Sequence, residues 1–339
     1  MKNNSFLHKN QSISQNGTDN FYSTFSADPL KAKTGLPMIV IMGPTGSGKS
    51  ELALNIGKRL PCEIISGDSM QVYKGMDIGT AKPTIDEQKM VKHHLIDILD
   101  IQKRLDVYFY VRKAERAIKE LREKGKIPLI VGGSGMYIRA LLYGLDPLPA
   151  SADLRAELQQ RYGGNDGNKN LIKDMAKVDP AALKTFGNNQ RKLLRALEVF
   201  SLTSKSITKQ HETWEGNKLR YPVFAYFVSR ERAELFKRIE NRTVKMLSNG
   251  WIDETKTLIE KNLFKTPTAR QAIGYEIISK YLLNEISYDE MKVRIVASTK
   301  KFARRQETWF NNQHPEAQKI TMKANLESLA DDICLKLKA

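Results

Sequence analysis

Apolar and polar positions along this chain fall into two alternating rhythms. Residues 37–42 form an unbroken apolar run, as expected of a parallel strand covered on both faces. The run enters a glycine-rich turn, after which Glu51 to Leu60 reads as a helix. Glu63 to Ser66, Leu95 to Leu99 and Ile127 to Val131 predict further strands, and Val107 to Lys124 predicts an amphipathic helix that stops at Gly125. Strands alternating with helices of this length imply an α/β fold, a doubly wound parallel sheet whose ligands gather at the carboxyl ends of its strands. The loops Gly43 to Ser50, Gly67 to Tyr73 and Gly132 to Tyr137 are therefore expected to converge.

Beyond Pro149 the pattern changes to short helical stretches separated by Gly and Asn, including a turn at Gly163 to Asn168 and a longer helix at Arg191 to Leu202. Tyr221 to Val228 restores a strand pattern. Helical spacing then fills Arg232 to Leu247, Ile252 to Lys261, Tyr275 to Leu283 and Tyr288 to Phe310. The expected organisation is a disordered tail over 1–34, a first core segment over 35–150, an inserted all-helical subdomain over 151–219, and a second, mostly helical core segment over 220–339. The tail is rich in Asn, Ser, Gln and Lys and has no secretory h-region; its lack of Arg and its two aspartates, Asp19 and Asp28, argue against an organellar transit peptide.

Composition narrows the class. At 339 residues, 41% hydrophobic and 27% charged, the chain can bury its own core, and no apolar run approaches the ~20 residues that span a bilayer. Cys62 and Cys334 are its only cysteines, too few for a disulfide framework or a zinc site, so a reducing, cytoplasmic setting is expected. A formal net charge of +17, with Lys and Arg spread through the body of the chain, predicts a positive surface and a polyanionic partner; a generally basic protein without one is the alternative.

Candidate chemistry begins with Gly43, Pro44, Thr45, Gly46, Ser47, Gly48, Lys49 and Ser50, which satisfy the P-loop pattern between a predicted strand and a predicted helix. Its backbone amides and the helix N-terminus face phosphate oxygens, Lys49 neutralises charge, and Ser50 can ligate Mg²⁺. Taken alone the motif implies ATP. The second loop carries Asp68-Ser69-Met70-Gln71-Val72-Tyr73; Asp68 suits a magnesium ligand or a general base equally well, and turn capping is the plainer role. The loop Gly132-Gly-Ser134-Gly-Met-Tyr137 has the form of an anion nest or, equally, of a helix cap.

These loops, with Asp77 to Pro83, His93-His94-Leu-Ile-Asp97, Arg195 to Val199, Ala272 to Tyr275, Arg304 to Gln306 and Thr308-Trp309, resemble the tRNA dimethylallyltransferases in order and content over residues 37 to 311. The resemblance implies transfer of a dimethylallyl group from dimethylallyl pyrophosphate to N6 of the adenosine immediately 3′ of the anticodon, in tRNAs reading codons that begin with U. The P-loop then holds the donor's pyrophosphate. It further implies Asp68 as the base at N6, whose lone pair the purine ring delocalises, Ser134 where the family usually has threonine, and Arg242 at the leaving pyrophosphate, with Arg238 one turn earlier. Magnesium is the implied cofactor, and a monomer is expected.

An adenine stacked in an anticodon loop must be extruded before it can react. By resemblance, RNA contacts fall at Asp68, Ser69, Met70, Gln71, Ser134, Arg155, Arg191, Lys192, Arg195, Arg270, Gln271, Gly274, Tyr275, Arg304, Arg305 and Gln306, whereas Trp309 reads as a core anchor rather than a stacking platform. Asn189, Lys192, Ser204 and Asn311 depart from the family's usual Asp, Arg, Gly and Arg. A small-molecule P-loop kinase, an adenylate isopentenyltransferase and a noncatalytic RNA-binding protein are the rival readings. The first two do not need the long basic carboxy-terminal half, and the third does not need Lys49, Asp68 and Ser134 together.

Overall fold

The structure, a computed structural model, describes residues 37–145, 148–209, 218–322 and 326–338; the tail expected over 1–34 lies outside them. Six parallel strands form one sheet in the order β3-β2-β4-β1-β5-β6: β1 Met38–Met42, β2 Cys62–Ser66, β3 His93–His94, β4 Ile127–Gly132, β5 Val223–Ser229 and β6 Gln318–Thr321. Every residue of β1, β2 and β4 is buried, which is why their sequences read as apolar runs rather than alternations. Register places Met42 beside Gly132 and Phe227, and Ser66 beside Val131. The carboxyl ends of β1, β2 and β4 therefore share one rim.

Helix α1 (Lys49–Gly57) follows β1, and the short α2 (Ile85–Met90) is held by a reciprocal capping box between Thr84 and Glu87. The amphipathic α3 (Val107–Glu123), capped by Asp106, precedes β4, and α4 (Gly135–Tyr143) follows it. The loop expected over Gly132 to Tyr137 is thus only two residues long, Gly133 and Ser134, before a helix begins. A third strand was expected at Leu95 to Leu99; pairing instead stops at His94, because Leu95 and Asp97 take positive φ values of 63° and 55° that break the extended run. Leu99 keeps a single bridge to Tyr73.

Residues 148–206 form a compact helical unit of their own, close to the insertion expected over 151–219. It comprises α5 (Ala152–Arg161), α6 (Gly167–Val178), α7 (Pro180–Phe186) and α8 (Gln190–Thr203). Its interior includes Leu158, Leu171, Met175, Leu193 and Val199, all buried. Asn189 caps α8 by accepting the Lys192 amide at 3.1 Å, so the family's aspartate is replaced by an equally good cap. Ser204 ends α8 at φ 56°, a left-handed position that costs a non-glycine residue about 1 kcal/mol and accounts for the glycine usual there.

The second core segment carries α9 (Arg232–Ser248), α10 (Trp251–Glu260), α11 (Tyr275–Leu282) and α12 (Tyr288–Gln313), then β6 and α13 (Leu326–Lys338). Helix α13 packs on α1: Ala330, Ile333 and Cys334 join Leu52, Ile56 and Cys62 in the cluster beneath the sheet. Among the described residues no helix is long and apolar enough to cross a membrane.

Candidate functional site

The three loops converge as register requires, and their contacts are specific. The Ser134 amide donates to Gly67 C=O at 3.1 Å. The Ser134 hydroxyl accepts the Ser69 amide at 2.9 Å and donates to Ser69 Oγ at 3.1 Å. So close an approach needs glycine, since a Cβ on Gly132 would lie 2.1 Å from the Gly67 carbonyl oxygen. Asp68 Oδ1 accepts the Met70 amide at 2.8 Å, which orients the carboxylate within its own loop. Gln71 accepts from Ser66 Oγ at 2.9 Å and donates to Ala81 C=O at 3.1 Å, so it stitches this loop to the segment after it.

The P-loop ends at Gly48, whose φ of 101° turns the chain into α1. Arg230, just before α9, and two arginines of α9 clamp it from outside. Arg238 donates to Gly46 C=O at 3.0 Å, Arg230 to Ser47 C=O at 3.3 Å, and Arg242 to Thr45 Oγ1 at 3.2 Å. Guanidinium groups on the outward carbonyls polarise the peptides whose N–H groups face the opposite way. Arg230 escaped the sequence reading because a single arginine after a strand carries no signal. Lys49 Nζ donates to Pro44 C=O at 2.7 Å. Burial, and next the nearby Arg242 charge, push its amine down to about 7, against the opposing pull of Asp68. Burial also lowers Arg242, with Asp68 again opposing. The free site thus confines two cations that resist their charge, a setting that an anion relieves.

Around these groups lies a cavity of about 600 Å³. Thr45, Lys49, Asp68, Ser134 and Arg242 line one part of it, and Ile239, Met246, Trp251, Ala272, Ile273 and Phe302 supply apolar wall. The segment Gly79 to Pro83 also lines it, and that segment is held by Glu254 on α10. The Glu254 carboxylate accepts the consecutive amides of Asp77, Ile78 and Gly79 at 2.8, 2.7 and 3.0 Å and the Tyr275 hydroxyl at 2.8 Å. Lys82, 4% exposed, bonds Tyr73 C=O, Asp77 and Asp97. Both residues fix a wall of the cavity; Lys82 falls within the Asp77 to Pro83 motif, without a role read for it there, whereas Glu254 had no signal, because an acidic helix residue looks like surface.

The remaining expected site residues separate into surface and interior. Arg191, Lys192, Arg270, Gln271, Arg304 and Arg305 are exposed, and Arg305 and Gln271 reach the cavity lining. Tyr275, expected at the RNA, is fully buried with its hydroxyl on Glu254, and Gly274 is buried beside it. Gln306 is 7% exposed, so it too presents almost no surface. In the helical unit Arg155 and Arg195 both pair with the buried Glu198, at 2.9 and 2.8 Å, and Arg195 also donates to Pro149 C=O. Trp309, expected as a core anchor, is only partly buried and packs on Gly135; the anchor is Phe310, 1% exposed against Phe227.

Among the described residues no cluster of three His, Cys, Asp or Glu side chains is placed to hold a metal. Ser50, exposed in the first turn of α1, and Asp68 are the oxygen donors at the phosphate end. That sparse set fits a magnesium ion that takes most of its ligands from phosphate and water.

Comparison with known proteins places the chain in a family. A family profile described as IPP transferase matches residues 71–313. A tRNA dimethylallyltransferase of Carboxydothermus hydrogenoformans is 42% identical over 299 residues, 87% of this chain and 96% of that protein. Two solved structures share the fold. A tRNA isopentenylpyrophosphate transferase of Bacillus halodurans has a TM-score of 0.66 at 33% identity, covering 89% of this chain and 97% of its own. A tRNA delta(2)-isopentenylpyrophosphate transferase of Staphylococcus epidermidis gives 0.65 at 32%, covering 89% and 99%.

Proposed function

The chain belongs to the tRNA dimethylallyltransferase family, and from that premise we propose that it moves the dimethylallyl group of dimethylallyl pyrophosphate onto N6 of the adenosine immediately 3′ of the anticodon. The observation that carries this reading is a cavity lined by both kinds of group. The P-loop with Lys49 and Arg242 suits pyrophosphate, the apolar lining residues suit a branched hydrocarbon, and the Asp68 carboxylate lines the same space. A kinase site would need no apolar wall, and a nucleotide switch would need no base.

In this reading the α1 amides, Lys49 and Arg242 bind the pyrophosphate and stabilise the charge that grows on it as the allylic C–O bond breaks. As the new C–N bond forms, the N6 proton passes to the Asp68 carboxylate, and pyrophosphate leaves with the electron pair of the broken bond. The Met70 amide on Oδ1 keeps the carboxylate oriented. Ser134, already bonded to Ser69, sets the Asp68 loop against the Gly132 loop. Ser50 would hold a magnesium ion, which would add charge stabilisation at the leaving group. Exposed Arg191, Lys192, Arg270, Arg304 and Arg305 suit contact with RNA phosphates. Arg155 and Arg195 serve Glu198 first.

The test is transfer of labelled dimethylallyl from its pyrophosphate to unmodified tRNA. Asp68→Asn is expected to slow transfer about 10²–10⁴-fold while leaving pyrophosphate affinity intact or tighter, because a negative charge leaves the site; chelating magnesium should slow the unmodified enzyme. Absence of labelled adenosine with the unmodified chain, or a variant as fast as that chain, would sink the reading.

A further inference from the structure

We propose that Gln306 is a positioning residue that locks the P-loop and the Gly132 loop into one register for the donor's pyrophosphate; this deepens the functional reading above and rests on it. Its side-chain amide lies between the two loops. Oε1 accepts the Thr45 amide at 2.9 Å, and Nε2 donates to Gly133 C=O at 2.8 Å. The group is 7% exposed, and a Cβ on Gly133 would stand 2.3 Å from Nε2, so the amide lies flush against that backbone.

The chemistry demanded at this point is narrow. One loop offers a buried N–H and the other a buried C=O, and a primary amide answers both from a single planar head at neutral pH. A carboxylate would set an acceptor against Gly133 C=O and a negative charge beside the pyrophosphate. An aliphatic side chain would leave both backbone groups unsatisfied. Gln306 takes the Thr45 N–H and Pro44 C=O takes that of Ser47, so the amides that remain for phosphate include those opening α1, at Gly48, Lys49 and Ser50, which a helix N-terminus leaves without intrahelical partners. Thr45 is free to offer its hydroxyl to Arg242.

On its other side, Gln306 holds Gly133, whose neighbour Ser134 bonds Ser69, next to Asp68. One series of bonds thus runs from the P-loop through Gln306 to the loop of the base. Helix α12 is built to support it. Ala303 and Phe310, one turn to either side, are buried at 0% and 1%, while Arg304 and Arg305 point outward. The same three-residue motif therefore splits: its arginines are exposed, Arg305 at the cavity's edge, and its glutamine is buried between the two loops.

The experiment compares Gln306→Glu, Gln306→Leu and the unmodified full-length protein in prenyl transfer to tRNA and in calorimetric binding of inorganic pyrophosphate, from about pH 5.5 to 8.5. A neutral carboxylic acid reproduces both bonds of the amide, and burial beside a carbonyl raises its pKa. At about pH 8, Gln306→Glu is expected to lose on the order of 100-fold in kcat/KM for the donor, with KM for tRNA unchanged. Its rate relative to the unmodified protein should recover at least about tenfold as pH falls to about 6, whereas Gln306→Leu should stay low throughout. Gly133→Ala, which pushes the amide aside, should weaken pyrophosphate binding without any recovery, and it stands in if Gln306→Glu does not fold. A relative rate that is flat with pH, or a rise in KM for tRNA with the donor unaffected, would overturn the proposal. Should the unmodified protein transfer no prenyl group, the functional reading fails by itself, and the pyrophosphate titrations still decide the role of Gln306.

Discussion

Two groups of buried charge in this protein are built in opposite ways. In the helical unit, Glu198 is 1% exposed and takes Arg155 and Arg195 together. Burial alone would raise its carboxyl, but hydrogen bonds from Arg195, the Ser151 amide and Arg155 outweigh that and hold it below the usual range. At the cavity, Lys49 and Arg242 rest on neutral oxygens, Pro44 C=O and the Thr45 hydroxyl, and share the field of one carboxylate, Asp68. Each group holds two cations to one carboxylate, but in the first the carboxylate touches both cations. In the second the cations rest on neutral oxygens and feel Asp68 only through its field, so a bound anion supplies the direct contact they lack. An arginine in a basic protein therefore indicates a polyanion site only where the fold has not already provided its carboxylate.

Three effects separate the two designs, taken from the largest to the smallest. Lys49→Met should lower prenyl transfer about 10²–10³-fold, yet leave the melting temperature of the free protein equal or higher, since it removes a buried amine that resists its own charge. Initial rates and calorimetric melting give both readouts, and a clear loss of stability would erase the distinction. Glu198→Ala should do the reverse. Taking the shared carboxylate from two partly buried guanidinium groups, of which Arg195 keeps only its backbone carbonyl bonds, costs about 2–3 kcal/mol in chemical denaturation, while pyrophosphate affinity holds. The third effect is protonic. Because Lys49 sits near 7 in the free site and a bound anion favours its charged form, pyrophosphate binding at about pH 8 should take up roughly one more proton in the unmodified protein than in Lys49→Met. Affinity should weaken as pH rises above 7. Calorimetry in two buffers of different ionisation enthalpy measures the difference, and equal uptake by the two proteins would place the titrating group elsewhere.

What the sequence made visible follows the same division. Strands buried on both faces, the P-loop and the convergence of three loops could be read directly, because periodicity and glycine placement are local signals. The edge of the sheet could not. β6 is a polar Gln-Lys-Ile-Thr strand, largely exposed, and its place is decided by pairing with β5 rather than by its own pattern. Helix α2 did have a readable signal, Thr84 three residues before Glu87, in the form of a capping box. Within the site, motif membership grouped Arg304, Arg305 and Gln306 together, and Tyr275 with Gly274. Only three-dimensional placement separates exposed arginines from a buried glutamine, or shows that Glu254 turns Tyr275 inward.

The central strand has a consequence for how the chain is made. β1, at residues 38–42, lies between β4 and β5, and its β5 partners run from Val223 to Phe227. As the ribosome delivers the chain from its amino end, one edge of β1 stays open until residues more than halfway along have emerged. Arg242 and Gln306 arrive later still. Such distant pairing slows closure of a sheet and lengthens the time a strand edge is exposed, whereas the helices of 148–206, built from local contacts, can condense while the sheet still waits. A truncated or nascent chain thus displays a complete P-loop sequence without the clamp that shapes it, so the capacity to hold pyrophosphate is acquired near the end of synthesis rather than at the motif's first appearance.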